Sequence, residues 1–274
     1  MNPANTEYVE LLLTILKVKN SHVTRNSSTF SHFELPNSTF TQAPLVTIRK
    51  TAWKKALKEM EWFLSGHTRC PDELLDWWSG QLNENNQLLL GYGEQLRSSV
   101  SSSSDSFDQV QFIQEGLKNN PNSRRLIMTT WNSGDMATIT DENNNPNTPT
   151  CCHSIIVQFF VRDGILNMKT YQRSADMLLG VPHNWIQSWA MMMWFAHHAG
   201  LKMGTMMWVW GDAHIYDEPS HVDTAKQMIK MVNKMKPDDF EMVYSPTSTE
   251  FKADDFDIIG TIAEPLVTVR PKLL

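Results

Sequence analysis

Cysteine is scarce in this sequence: three residues in 274, at Cys70, Cys151 and Cys152. An odd number with two adjacent makes neither a disulfide framework nor a metal-ligand spacing, so no metal is expected. Basic residues are outnumbered, 24 Lys and Arg against 30 Asp and Glu, for a formal net charge of −6. That balance argues against DNA binding or an anionic membrane surface, but it leaves room for a local basic pocket around one phosphate. No apolar run is long enough to span a bilayer, and the N-terminus lacks the basic-then-apolar order of a signal peptide. A cytoplasmic protein is therefore expected, and the glycosylation-type triplets at Asn26 and Asn37 read as chance. No internal repeat is present.

What the chain does have is apolar bulk: 41% hydrophobic residues, with ten tryptophans and sixteen methionines. This suffices for one large domain over 1–274 with a full core, and most of those side chains are expected in it. Hydrophobic spacing predicts helices over 7–19, 51–64, 73–78, 107–118, 184–199 and 221–235. Strands are predicted over 29–35, 45–48, 126–131, 155–161, 165–172, 205–210, 240–244, 256–259 and 266–269. The stretch 79–95 reads as a polar loop, and 98–106 (serine-rich) and 141–149 read as surface insertions. Helices and strands mix without strict alternation, which predicts an α+β fold.

One stretch concentrates chemistry. Residues 171–184 read Tyr-Gln-Arg-Ser-Ala-Asp-Met-Leu-Leu-Gly-Val-Pro-His-Asn. They follow a buried hairpin turned by Arg162-Asp163-Gly164, and the strand is expected to break at Arg173. Polar residues of four chemistries at the end of a buried hairpin point to a ligand site. Upstream, Cys151-Cys152-His153 precedes the strand. A thiol near arginines ionises more readily, and the thiolate is the nucleophile. Only one of two consecutive extended residues faces a given pocket. Glu59 sits on a helix with Trp62 and Phe63 nearby, where its pKa would rise toward working pH.

The pattern Gln-Arg-Ser-x-Asp-x-x-Leu-Gly-x-Pro-x-Asn resembles the nucleotide-binding signature of the thymidylate synthase family, which includes bacteriophage pyrimidine hydroxymethylases. Further matches follow in the family's order from Arg25 to Tyr216 and cover most of the chain. The resemblance implies a mixed β-sheet that forms the interface of a homodimer, with helices on its other face. It makes Cys152, directly before a histidine, the nucleophile, although Cys151 stands where the family has proline. It makes Glu59 the general acid/base and Tyr92, in Gly91-Tyr92-Gly93, a helper in removing a pyrimidine proton. Arg25, Arg124, Arg125 and Arg173 match the arginines that grip the substrate phosphate, whose oxygens suit the guanidinium fork. Ser174 belongs to the same grip. The Arg124–Arg125 pair would reach into the partner's site. His214 and Tyr216 match the residues that hold the sugar hydroxyl, Asp176 the one that contacts the folate pterin, and Arg49 and Trp78 further folate contacts.

The resemblance makes Asn184 the residue that reads the base. Its carboxamide accepts from uracil N3–H and donates to O4, which selects dUMP over a cytosine nucleotide. The implied cosubstrate is 5,10-methylenetetrahydrofolate. In the family, thiolate addition at C6 activates C5, which takes the one-carbon unit, and loss of folate leaves an exocyclic methylene. A synthase reduces that methylene; a hydroxymethylase lets water add. Several departures predict a wetter pocket and water addition. Leu75 stands where the synthases place a shielding tryptophan if Trp78 is that helix's second tryptophan, Pro149 and His183 replace apolar residues, and Glu61 is closer to the hydroxymethylase branch. The region 259–265 lacks the usual tyrosine and histidine, and 217–221 is changed as well. The expected activity is therefore that of a dUMP hydroxymethylase. The alternatives are a thymidylate synthase and, in a different class, a catalytically idle relative that binds nucleotide or RNA.

Overall fold

A computed structural model describes residues 2–24, 27–100, 105–138, 151–269 and 271. The chain opens with α1 (Pro3–Ile15), capped by the Asn2 side chain on Ala4 N and started by a proline in its first turn. Three short strands follow: β1 (His22–Val23), β2 (Ser28–His32) and β3 (Ser38–Phe40). Next come α2 (Trp53–Ser65), α3 (Leu75–Trp78) and α4 (Tyr92–Arg97). A two-residue hairpin pair, β4 (Ser99–Val100) and β5 (Ser106–Phe107), leads to α5 (Gln109–Asn119) and β6 (Ile127–Thr129). The large hairpin is β7 (Ile156–Arg162) with β8 (Ile165–Asp176); then come α6 (Val181–His198), β9 (Lys202–Tyr216) and α7 (Pro219–Met231). The chain closes with a separate hairpin, β10 (Asp239–Tyr244) and β11 (Phe256–Thr261).

The main sheet runs β1-β2-β9-β8-β7-β6, with β3 also on β9. β8 and β9 are parallel and joined through α6; the other pairs are antiparallel. The fold is mixed α+β. Alternation sorts the two sheet faces. Val157, Phe159, Leu166, Met168, Met206 and Trp208 point inward and are buried. α6 lies over that face, and α2 packs on α6. The opposite face carries Ile127, Ile156, Phe160 and Ile165, which are 38–56% exposed.

Three expectations about elements are corrected. The strand over 165–172 does not break at Arg173 but continues to Asp176, because β9 pairs with Ser174, Ala175 and Asp176 across polar and apolar positions alike. Segments 45–48 and 266–269 are not strands; an isolated bridge joins Arg49 to Val267. Tyr92 does not lie in a loop but opens α4. Gly66 ends α2 in the left-handed region (φ 81°), and a Cβ on Gly93 would meet the Gly66 backbone at 3.1 Å. Only two glycines let α4 approach α2 so closely. The insertion 98–106 includes the β4–β5 pair; 101–104 and the second insertion, 141–149, lie outside the described residues.

Candidate active site

The predicted nucleophile stands just before β7. The Arg173 backbone N–H donates to the Cys152 carbonyl at 2.9 Å, which ties the cysteine segment to β8. Arg173 Nε donates to the Cys151 carbonyl at 2.8 Å, and its guanidinium lies 5.1 Å from the Trp131 ring centre. The Tyr92 hydroxyl accepts from Cys152 N (2.8 Å) and His153 N (3.3 Å) and stands 3.5 Å from Cys152 Sγ. With two N–H groups pointing at its oxygen, the phenol's own proton is directed to sulfur. Burial pushes the Cys152 thiol up; the Tyr92 hydrogen bond and the Arg173 charge offset this only in part. The expectation of an easily ionised resting thiol is therefore corrected: burial outweighs the arginine. Cys151 is buried and burial pushes it up to about 12. His153 is buried and neutral, pulled down to about 3 by burial.

Glu59 is buried on α2, and its carboxyl is pushed up to about 7 by burial. The direction matches the sequence reading, and two hydrogen-bond donors outside that reading hold the carboxyl. Trp78 donates its indole N–H to Oε1, and Gln187 on α6 donates to Oε2. Gln187 had not been singled out; its signal was a lone amide within the apolar run Trp185–Phe195. Trp78 is 8% exposed with its N–H committed to Glu59. Glu61 points elsewhere: it accepts from Ala253 N at 2.9 Å and pairs with Lys58 and Lys252.

The turn after β8 is held from four sides. Asp176 Oδ1 accepts from Leu178 N (2.9 Å) and Leu179 N (3.0 Å). Arg49 Nη2 donates to the Leu178 carbonyl. Tyr8 donates to the Met177 carbonyl. His183 Nδ1 meets the Leu179 carbonyl at 2.7 Å, and its Nε2 accepts from Ala52 N at 3.3 Å. Both neighbours fix the Nδ1–H tautomer. Burial, followed by the nearby Arg49 charge, lowers His183 to about 4 against the Leu179 hydrogen bond. Neither ring nitrogen is left to hold a water, so this departure does not make the pocket wetter. Asn184 is buried on the first turn of α6, beside Gly180.

His214 pairs with Asp176 in the β8–β9 register and meets Asp212 Oδ2 at 3.4 Å. Burial lowers its pKa, but Asp212 and Asp176 together bring it above the ordinary value. The Tyr216 ring lies 5.3 Å from His214. Ser174 adjoins Cys152 through its backbone N–H (3.4 Å). Arg124 and Arg125 are exposed on the loop before β6 and are not brought to the thiol. Arg25 and Pro149 lie outside the described residues. Among the described residues no cluster of three His, Cys, Asp or Glu is arranged to hold a metal, and no helix is long and apolar enough to cross a membrane.

A thiol, a phenol on that thiol and a buried carboxyl near neutrality are the kind of set that can make and break a covalent bond. Residues 6–270 match the family model for thymidylate synthase. A thymidylate synthase of Corynebacterium aurimucosum is 31% identical over 230 residues, covering 83% of this chain and 81% of the relative. The chain belongs to the thymidylate synthase family, whose shared chemistry is folate-dependent one-carbon transfer to C5 of dUMP.

Proposed function

We propose that this family member is a dUMP hydroxymethylase, which adds water to the methylene on C5 and yields 5-hydroxymethyl-dUMP. The observation that carries this reading is the disposition of α3. Trp78 is turned to Glu59, and Trp77 lies 4.9 Å from the His183 ring with Lys55 Nζ 5.0 Å from its own ring. The first position of α3, half-buried Leu75, offers a smaller side chain where an indole would shield the methylene.

In this reading Cys152 Sγ bonds to C6 as the thiolate, and Tyr92 steadies that thiolate by donating its hydroxyl proton to the sulfur. Arg173 and Ser174 hold the phosphate, His214 and Tyr216 the sugar, and Asn184 the uracil edge. Glu59, near neutrality, carries the proton lost from C5. Methylenetetrahydrofolate supplies the one-carbon unit. Its pterin fits beside Asp176, whose Oδ1 is taken by backbone N–H groups while Oδ2 has no hydrogen bond among the described residues. Arg49 steadies the same turn. Chain 1–274 acts as one catalytic unit, and two copies pair through the exposed apolar sheet face so that Arg124 and Arg125 complete the partner's phosphate grip. A second reading, a thymidylate synthase, is favoured by the name of the 31% identical relative.

The test is the product. Purified protein with dUMP and methylenetetrahydrofolate is expected to give the hydroxymethyl nucleotide by mass without dihydrofolate absorbance. A methyl product with matching dihydrofolate would establish the synthase instead. Failure of 5-fluoro-dUMP to form a Cys152-dependent adduct would leave only a binding role.

A further inference from the structure

Gln187 is fully buried in α6, three residues after Asn184 and so on the same helix face. Its Nε2 donates to the Ala56 carbonyl at 2.9 Å and to Glu59 Oε2. Both partners lie on α2, and both are acceptors, so only this orientation of the amide is tenable. Trp78 takes the other carboxylate oxygen. Glu59 is thus gripped at both oxygens, from two separate elements, by an indole N–H and an amide NH2 that the Ala56 carbonyl holds in the donating orientation.

Two consequences follow. The carboxylate plane is fixed relative to α6, the helix that also carries Asn184. A proton arriving on either oxygen faces a donor rather than an acceptor, so these two hydrogen bonds favour its release, against the burial that raises the carboxyl overall. The other groups around Glu59 do not supply this. Among the described residues, Lys55, one turn earlier on α2, is the cation that acts on it, and the Cys152 and Cys70 thiols are its titratable neighbours.

We propose that Gln187 is a positioning residue for the one-carbon transfer. From α6 it sets the orientation and readiness of Glu59, locking the proton carrier in register with the base-reading Asn184. This rests on the reading of Glu59 as the carrier of the C5 proton.

The experiment measures release of tritium from 5-tritiated dUMP with methylenetetrahydrofolate across pH, which is blind to whether methyl or hydroxymethyl is finally made. Gln187→Met keeps the length and removes the donor. Its release rate is expected to fall about 10- to 100-fold, with KM for dUMP within about twofold. The acidic limb of the profile is expected to move up by about one pH unit, because a hydrogen bond to the charged form is lost. Gln187→Glu, nearly the same shape, guards against a folding failure and is expected to move the limb further the same way. An unmoved limb in either folded variant, whatever the rate, would overturn the proposal and leave Gln187 a packing residue. No tritium release from the parent protein would sink the proton-carrier reading itself, and the inference with it.

Discussion

The Tyr92 hydroxyl accepts the Cys152 backbone N–H at 2.8 Å while standing 3.5 Å from that residue's Sγ. One phenol therefore fixes the nucleophile's backbone and addresses its proton. Tyr92→Phe strips an acceptor from two buried N–H groups and the donor from sulfur. Covalent adduct formation with 5-fluoro-dUMP and methylenetetrahydrofolate is expected to slow by about 100-fold, read by intact-protein mass. Adduct formation at the parent's rate would remove Tyr92 from the chemistry.

Leu75 tests the fate of the methylene. Leu75→Trp restores bulk where the synthases have it. The ratio of methyl to hydroxymethyl product is expected to rise at least about tenfold, since excluding one water suffices to favour reduction. A ratio unchanged in a folded variant would mean that another residue admits the water.

His183 links acid stability to the turn it holds. Its folded pKa, about 4, lies below the ordinary histidine value, so it contributes stability above the unfolded value of about 6.5 that is lost as pH falls toward 4. In His183→Phe, the loss of unfolding free energy between pH 7 and 4.5 is expected to shrink by roughly 2 kcal/mol. Urea titrations at the two pH values measure it. Equal losses in parent and variant would show that other groups, buried His153 foremost, govern the acid side.

Arg124 and Arg125 stand exposed, away from the thiol of their own chain. Mixing Cys152→Ser protein with Arg125→Ala protein is expected to restore activity that neither has alone, because one site of the hybrid keeps both parts. Two inactive parents that stay inactive after subunit exchange would refute the shared site.

Much of this architecture was legible in the sequence. The β7–β8 hairpin, α2 and α5 carry uninterrupted periodicity, which is what packing against one face demands, and α6 is legible from its long apolar run, buried nearly all round. Where legibility failed, distant partners decided. β8 continues past Arg173 because β9 lies alongside, and nothing local announces that. Segments 45–48 and 266–269 have strand-like composition but meet only at the Arg49–Val267 bridge. Tyr92 opens a short helix whose docking depends on two glycines far apart in sequence. In the site, Cys152, Glu59 and Asn184 stood out through their motifs. Gln187 did not, since a single amide in an apolar helix reads as noise until the acid it grips is in view. The Cys152 thiol was misread for the same reason: burial by remote elements outweighs the arginine next to it.

The continuity of β8 through Arg173 has one more consequence. Because Arg173 and Ser174 donate their backbone N–H groups to the Cys152 carbonyl, the proposed phosphate end on β8 and the proposed nucleophile just before β7 are fastened to each other. Under the proposed chemistry that fastening would work as a gauge of fixed span. A nucleotide anchored at its phosphate presents C6 to the sulfur only if the sugar between them has the right reach. Deoxyuridine, with no phosphate to seat at the far end of the gauge, would have nothing to bring its C6 to the mark.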